Sequence, residues 1–227
     1  MIGIIKQLFS ATGPLALSLD GYTPRQPQID MAVAVAGALK NSSQLVVEAG
    51  TGTGKTFAYL APALKSKGRT IISTGSKALQ EQLYHRDLPQ LVKALSASKK
   101  TALKGRANYL CTYRLNQHVA HVPTDDSDVM HQLAMVAKFA SETQSGDFAD
   151  CIGIEDDAKV LPYVNSTADN CLGKECPDFQ SCYIRKARLT AADADVVVIN
   201  HHLFFADMAV KESGFAELMP KADAYIF

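Results

Sequence analysis

The sequence predicts a parallel α/β domain interrupted by a long insertion. Two observations carry this. Strand-like and helix-like segments alternate up to about residue 95 and again from residue 195. Between them, the roughly 80 residues from Gly105 to Arg188 show no such alternation.

The elements are expected in the following order. Residues 1–21 carry Gly3, Gly13, Pro14 and Gly21 and no sustained period, so they read as a loose or briefly helical lead-in. Thr23 suits a helix cap and Pro24 a first helical position, after which Ile29, Ala32, Val33, Ala36 and Leu39 recur at helical spacing. Asn41-Ser42-Ser43 ends that helix. Leu45-Val46-Val47 is a short apolar run suited to a buried strand. It leads into a Gly-rich turn and a helix over Lys55–Lys65. Thr70–Thr74 is the next strand. Ser76 caps a long helix that runs through Leu79 and Leu83 to Leu95, with a break at Pro89. After the insertion come a strand at Asp195–Asn200, a short helix at His201–Met208 and an apolar strand candidate at Ala222–Phe227. The division is therefore a lead-in (1–21), a first part of the α/β domain (22–104), an insertion (105–190) and the resumed domain (191–227).

Composition fits a globular protein of 227 residues: 47% of residues are hydrophobic and 20% charged, which excludes collagen-like, disordered and disulfide-scaffold classes. The net charge of zero hides a split. Residues 1–110 hold 14 basic and 5 acidic side chains, and residues 111–227 hold 9 basic and 18 acidic. The basic half could meet a polyanion, or the two halves could pair with each other. No run of 18 apolar residues exists, so no membrane span is expected. The amino-terminal stretch lacks the parts of a signal peptide. Five cysteines, odd in number and not densely spaced, point to a reducing compartment and hence the cytoplasm.

Glu48-Ala49-Gly50-Thr51-Gly52-Thr53-Gly54-Lys55-Thr56 reads as a phosphate-binding loop. Glycines let several backbone N–H groups face one anion, and a helix N-terminus adds partial positive charge there. Lys55 can reach the β- and γ-phosphates, and the Thr56 hydroxyl can ligate Mg²⁺. Ala49 stands where the first Gly of the strict pattern belongs. Arg25 and Gln28, three apart at the start of the preceding helix, share a face, and a Gln carboxamide suits the edge of adenine.

Cys111, Cys171, Cys176 and Cys182 follow C-x59-C-x4-C-x5-C. No C-x2-C pair of a common zinc site is present, nor the run of a bacterial ferredoxin. An iron–sulfur cube, a zinc ion and unligated thiols all remain open on spacing alone. Cys151 lies apart in the acidic stretch and reads as structural.

Taken together, EAGTGTGKT, the upstream PRQPQ, STGSKALQEQL, KGRANYLC, the cysteine spacing and VVVINHHLFFAD resemble the XPD/DinG-type iron–sulfur DNA helicases of superfamily 2, and within them the bacterial YoaA-like branch. The resemblance runs from about Tyr22 onward. It implies an incomplete RecA-like P-loop domain with an inserted, mainly helical or irregular, iron–sulfur domain. It implies that Ala49, Gly50, Thr51, Gly52, Thr53, Gly54, Lys55 and Thr56 bind ATP and Mg²⁺, with Lys55 and Thr56 catalytic, and that Arg25 and Gln28 recognise adenine. Cys111, Cys171, Cys176 and Cys182 match the ligands of a 4Fe–4S cluster. Ser73, Thr74, Gly75, Ser76 and Lys77 match a segment that contacts single-stranded DNA. The implied activity is ATP-driven unwinding of DNA, 5′ to 3′, in repair or replication. Single strands and DNA junctions would be the partners, with replication or repair proteins as further candidates and no membrane involved. Such helicases continue after a strand resembling AYIF with an Asp-Glu-Ala-His box, so this sequence is expected to be the amino-terminal piece of a longer helicase, inactive in isolation. The rival expectations are a fragment that binds ATP and DNA without turnover, and another P-loop NTPase with a zinc-binding insertion.

Overall fold

The computed structural model describes residues 2–95, 100–121, 125–212 and 218–227. The chain divides into two compact units, Met1–Leu103 with Ala191–Phe227, and Lys104–Thr190.

The first unit is a parallel α/β domain of RecA-like type. It opens with α1 (Ile2–Leu8) and α2 (Pro14–Ser18), then α3 (Gln26–Asn41), α4 (Lys55–Lys65), β1 (Thr70–Thr74), α5 (Lys77–Gln82), α6 (Leu88–Leu95) and β2 (Lys100–Ala102). In the second unit lie α7 (Thr112–Ala120), α8 (Ser127–Glu142) and α9 (Leu161–Val164). Helix α10 (Tyr183–Asp193) leads back into the first unit, which ends with β3 (Val196–Asn200), α11 (His201–Glu212) and β4 (Ala224–Ile226).

The sheet order is β2-β3-β1-β4, with every pair parallel. Thr70 aligns with Val196 and Thr74 with Asn200, so β1 and β3 finish side by side. Both central strands are buried at every position, as expected of strands with neighbours on each side and helices over the faces. The β2–β3 ladder continues one residue further, through Leu103 N–H donating to Val198 O at 3.0 Å. Strand β2 has no apolar run to announce it, and its Lys-Thr-Ala sequence gave no strand expectation.

Several expectations are corrected here. The lead-in is part of the core: Ile5, Leu8, Phe9 and Leu15 are buried against α3 and α6 residues. Ile5, Leu8 and Phe9 are spaced three and four apart, so one turn-and-a-bit of helix aims them inward together. Helix α3 starts at Gln26, with Arg25 as its extended cap, rather than at Pro24. Pro27 explains the shift. In a helix begun at Pro24, Pro27 would stand where an amide must donate to the cap carbonyl, and proline has none. Within the first turn of α3 that lack costs nothing.

Leu45-Val46-Val47 forms no strand. Val46 is 97% exposed, and among the described residues nothing pairs with this segment. An extended tripeptide becomes a strand only beside a partner's N–H and C=O groups, and the sheet as described ends at β4.

The long helix after Ser76 breaks earlier than its proline. Residues Leu83–Asp87 form a wide π-turn between α5 and α6. Pro89 cannot donate to the carbonyl of His85 and its ring crowds it, so the turn ahead of Pro89 widens to absorb the mismatch. Ser76 does cap α5, its Oγ accepting from Leu79 N–H at 3.2 Å. Helix α11 extends past Met208 to Glu212.

Candidate nucleotide site and cysteine constellation

The glycine loop connects the exposed Leu45–Val47 segment to α4. Its backbone turns through left-handed conformations at Gly52 (φ 78°) and Gly54 (φ 81°), the latter the N-cap of α4. Lys55 Nζ donates to Ala49 O at 2.8 Å and Gly50 O at 2.9 Å, so its ammonium lies across the loop. Thr53 Oγ1 donates to Gly50 O at 2.9 Å. Both residues singled out ahead of the loop are fastened to it. Arg25 Nη1 donates to Gly52 O, and Gln28 Nε2 donates to Gly54 O at 2.9 Å. Eight loop residues and two side chains from α3's start are thus brought to one place, around the N-terminus of an eleven-residue helix.

Sequence reasoning missed Tyr59, one turn into α4. Burial pushes its hydroxyl up to about 12, while the Thr56 side chain, hydrogen-bonded to it, acts in the opposite direction and the Asp87 charge adds to the rise. Tyr59 and Thr56 thus influence one another one turn apart on α4. The sequence holds no local signal of that pairing beyond an i, i+3 spacing.

Gly54 admits a direct test. A Cβ there would lie 2.1 Å from Gln28 Nε2, in a backbone conformation that L-residues rarely adopt. Gly54→Ala is expected to destabilise the domain by at least about 1–2 kcal/mol from the backbone alone, read as a lowered melting temperature. Gly50→Ala, whose Cβ would meet nothing within 4 Å, is expected to melt like the parent. Equal melting of the two variants would refute this account of the loop.

At the carboxyl end of the central strands, Ser73 Oγ is hydrogen-bonded to His201 Nδ1 at 2.7 Å. Thr74 Oγ1 donates to Ser76 O and Ile199 O. Ser73 and Thr74 are buried, whereas Gly75, Ser76 and Lys77 are exposed. Of the five residues in this segment, only the last three face solvent. His201 is the second residue that sequence reasoning left without a role; only the parallel register of β1 and β3 brings it to Ser73.

In the second unit, Cys111 caps the N-terminus of α7. Burial pushes its thiol up; the Arg114 amide in the first turn of α7 opposes this, and the charges of Cys176, Cys182 and Cys171 raise it further. The fold thus brings all four spaced cysteines into one electrostatic neighbourhood. All four are half-buried. Among the described residues, no three His, Cys, Asp or Glu side chains are grouped as a single metal ion would require. Cys151 is separate. It is buried in the core of this unit with Leu110, Leu133 and Phe148, and burial alone raises its thiol.

Residues 30–124 match the DEAD/DEAH box helicase family. The chain is 54% identical to the ATP-dependent DNA helicase YoaA of Haemophilus influenzae over 98% of its own length and 35% of the relative's. Against the YoaA helicase of Escherichia coli it is 52% identical, over 96% of the chain and 35% of the relative. Against the ATP-dependent helicase DinG of Mycobacterium tuberculosis it is 40% identical, over 88% and 33%. It belongs to the DEAD/DEAH-box helicase family, on its DinG-like branch. ATP and Mg²⁺ are the ligands that this family implies. The chain spans about a third of the length of the curated relatives it matches. None of its described helices is long and apolar enough to cross a membrane.

Proposed function

We propose that this chain is the ATP-binding first domain of an ATP-dependent DNA helicase. The enzyme would move 5′ to 3′ on single strands and at junctions, in DNA repair or replication, in the cytoplasm. The observation that carries the reading is the glycine loop closed over Lys55 and fastened by Arg25 and Gln28.

The chemistry is transfer of the γ-phosphoryl group to water, for which the protein supplies position and charge. The amides of Gly50–Thr56 receive the phosphates. Lys55 exchanges its two loop carbonyls for phosphate oxygens. Thr56, at the start of α4, is the residue that would ligate Mg²⁺. Arg25 and Gln28 stand ready on the flank for the base. Gly75, Ser76 and Lys77 offer amides, a hydroxyl and an ammonium to a DNA phosphate, backed by the buried Ser73–His201 bond.

The second unit would hold a 4Fe–4S cluster through Cys111, Cys171, Cys176 and Cys182. The charges of the other three acting on Cys111 support that set, and a cube suits thiolates standing further apart than one ion allows. When bound, the cluster supplies a rigid cross-link between loops and a centre able to carry an electron. Domain bounds follow the same reading: a nucleotide-binding part over 22–104 and 191–227, and the cluster-bearing insertion over 105–190.

The chain of 227 residues is expected to hydrolyse ATP at no more than background rate and to bind single-stranded DNA weakly. Turnover needs a held Mg²⁺, an oriented water and a positive charge on the transition state besides the phosphate cradle. The sequence contains no Asp-Glu-Ala-His run to supply the first two. In enzymes that use one, an arginine finger is worth about 10³–10⁵ in rate. A steady-state ATPase assay with and without single-stranded DNA, beside a full-length relative, checks this. DNA-stimulated turnover near that of the relative would overturn the assignment of catalytic groups.

A further inference from the structure

Between Cys111 and the other three ligand candidates lies a turn that contains no cysteine and yet touches the neighbours of both ends of the set. Gly146 O accepts from Leu110 N–H at 2.7 Å, next to Cys111. Tyr109, one residue earlier, pairs with Asp147 in an isolated antiparallel bridge. On its other side, Gly146 (φ 65°) lies under the ring of Tyr183, the residue after Cys182; a Cβ on Gly146 would come within 2.2 Å of Tyr183 Cγ. One glycine therefore has a backbone oxygen on the strand leading to the first cysteine and its α-carbon beneath the residue following the last.

The turn itself is rigidly held. Gly146 N–H donates to Thr143 Oγ1 at 2.9 Å, and Asp147 N–H donates to Ser145 Oγ at 3.1 Å. Asp147 uses both carboxylate oxygens. Oδ1 accepts from Ala149 N–H at 3.0 Å, and Oδ2 meets Lys104 Nζ at 2.6 Å. That ion pair is largely shielded, with the side chains 7% and 17% exposed. Lys104 N–H also donates to Tyr109 Oη at 3.2 Å, which ties the pair back to the same strand. A shielded pair of this kind is a poor source of stability but a strong constraint on geometry, because parting two shielded charges is costly.

We propose that the Gly146–Asp147 turn, locked by the Lys104–Asp147 ion pair, is the positioning element that registers Cys111 against Cys182 for cluster binding. The proposal rests on the cluster reading given above. Its physical content is pre-organisation: two ligands that lie far apart in sequence reach one centre because a third, ligand-free segment spaces them. Groups one step behind the ligands commonly govern affinity and redox potential in this way.

The test uses the full-length helicase, purified without air, with three readouts: iron per chain, the rate of cluster loss to a chelator, and the midpoint potential of the cluster. Asp147→Asn keeps a carbonyl oxygen for the Ala149 amide and removes the charge opposite Lys104. It is expected to lose its cluster to chelator about tenfold faster and to shift the potential, with a lowered melting temperature because one partner of a shielded ion pair is removed. Gly146→Ala is expected to lower iron per chain strongly, and Tyr183→Ala in the same chain to restore part of it by making room for the new methyl. A parent protein without iron would remove the cluster reading and this proposal with it. A parent that holds iron, with Asp147→Asn matching it in chelation rate and potential, would overturn the proposal and leave the cluster reading standing. Should Gly146→Ala fail to fold, the Asp147→Asn comparison decides alone.

Discussion

On the proposed function, Lys55→Ala in a full-length protein carrying this domain is expected to lower ATP hydrolysis by about 10²–10³-fold or more, on the scale of removing one preorganised electrostatic group, and to abolish unwinding. The ammonium is the only full positive charge that the loop residues themselves carry, and it already lies across the space between Ala49 O and Gly50 O. Charge develops on the transferring phosphoryl oxygens, and an alanine there leaves that charge to water. Folding is hardly disturbed, because the two carbonyls released belong to a loop with solvent at hand; Gly50 is exposed and Ala49 half-exposed. Paired measurements make the outcome sharp: turnover in a coupled ATPase assay against the melting temperature of the same preparation. Near-parental turnover with a parental melting curve would remove Lys55 from the mechanism.

On the proposed cluster reading, Cys176→Ser is expected to remove most bound iron and the absorption near 400 nm, whereas Cys151→Ala is expected to leave both in place. The contrast rests on surroundings rather than on spacing. Cys176 is half-buried and lies within electrostatic reach of Cys111, together with Cys171 and Cys182. Cys151 packs among Leu110, Leu133, Val136 and Phe148, where its sulfur behaves as a small apolar group. Alanine is the better replacement at 151, since a serine hydroxyl buried there would lack a partner and cost about 1–3 kcal/mol. Iron and acid-labile sulfide per chain, measured on both variants, decide the matter. Equal loss from the two would mean that the wrong four cysteines had been chosen.

Much of the fold could be read from residue order, and the exceptions have physical causes. Thr70–Thr74 and Lys55–Lys65 were legible because each carries its own period and its own stop signals. Leu45-Val46-Val47 has an equally good strand composition and forms none, since composition describes a surface to be buried and says nothing about who lies beside it. The π-turn at Leu83–Asp87 was visible only as a proline in a helix; where the strain would be taken up depended on packing.

The same division holds at the site. A phosphate loop is local, and its glycines and lysine stand in a row. The contacts of Arg25 and Gln28 with that loop need α3 laid beside α4, which spacing suggests and cannot dictate. Tyr59, His201 and Gly146 were not legible at all. Each acts on a residue that only tertiary structure, or a turn of helix, brings to it.

Strands β2 and β3 are neighbours in the sheet, yet the whole span from Leu103 to Ala191 lies between the point where the chain leaves one and the point where it approaches the other. Assembling the sheet therefore requires closing a very long loop, and β1 must wait for the same event to gain β3. The cost of closure rises slowly with length, about 0.6 kcal/mol for each doubling, but distant pairings of this kind slow folding far more than they weaken the product. A second unit that condenses on its own core, with Leu110, Val136, Phe148 and Val160 at its centre, shortens the effective tether before the strands meet. In kinetic terms, the order in which the two units consolidate governs how long an incomplete sheet stays open to wrong partners.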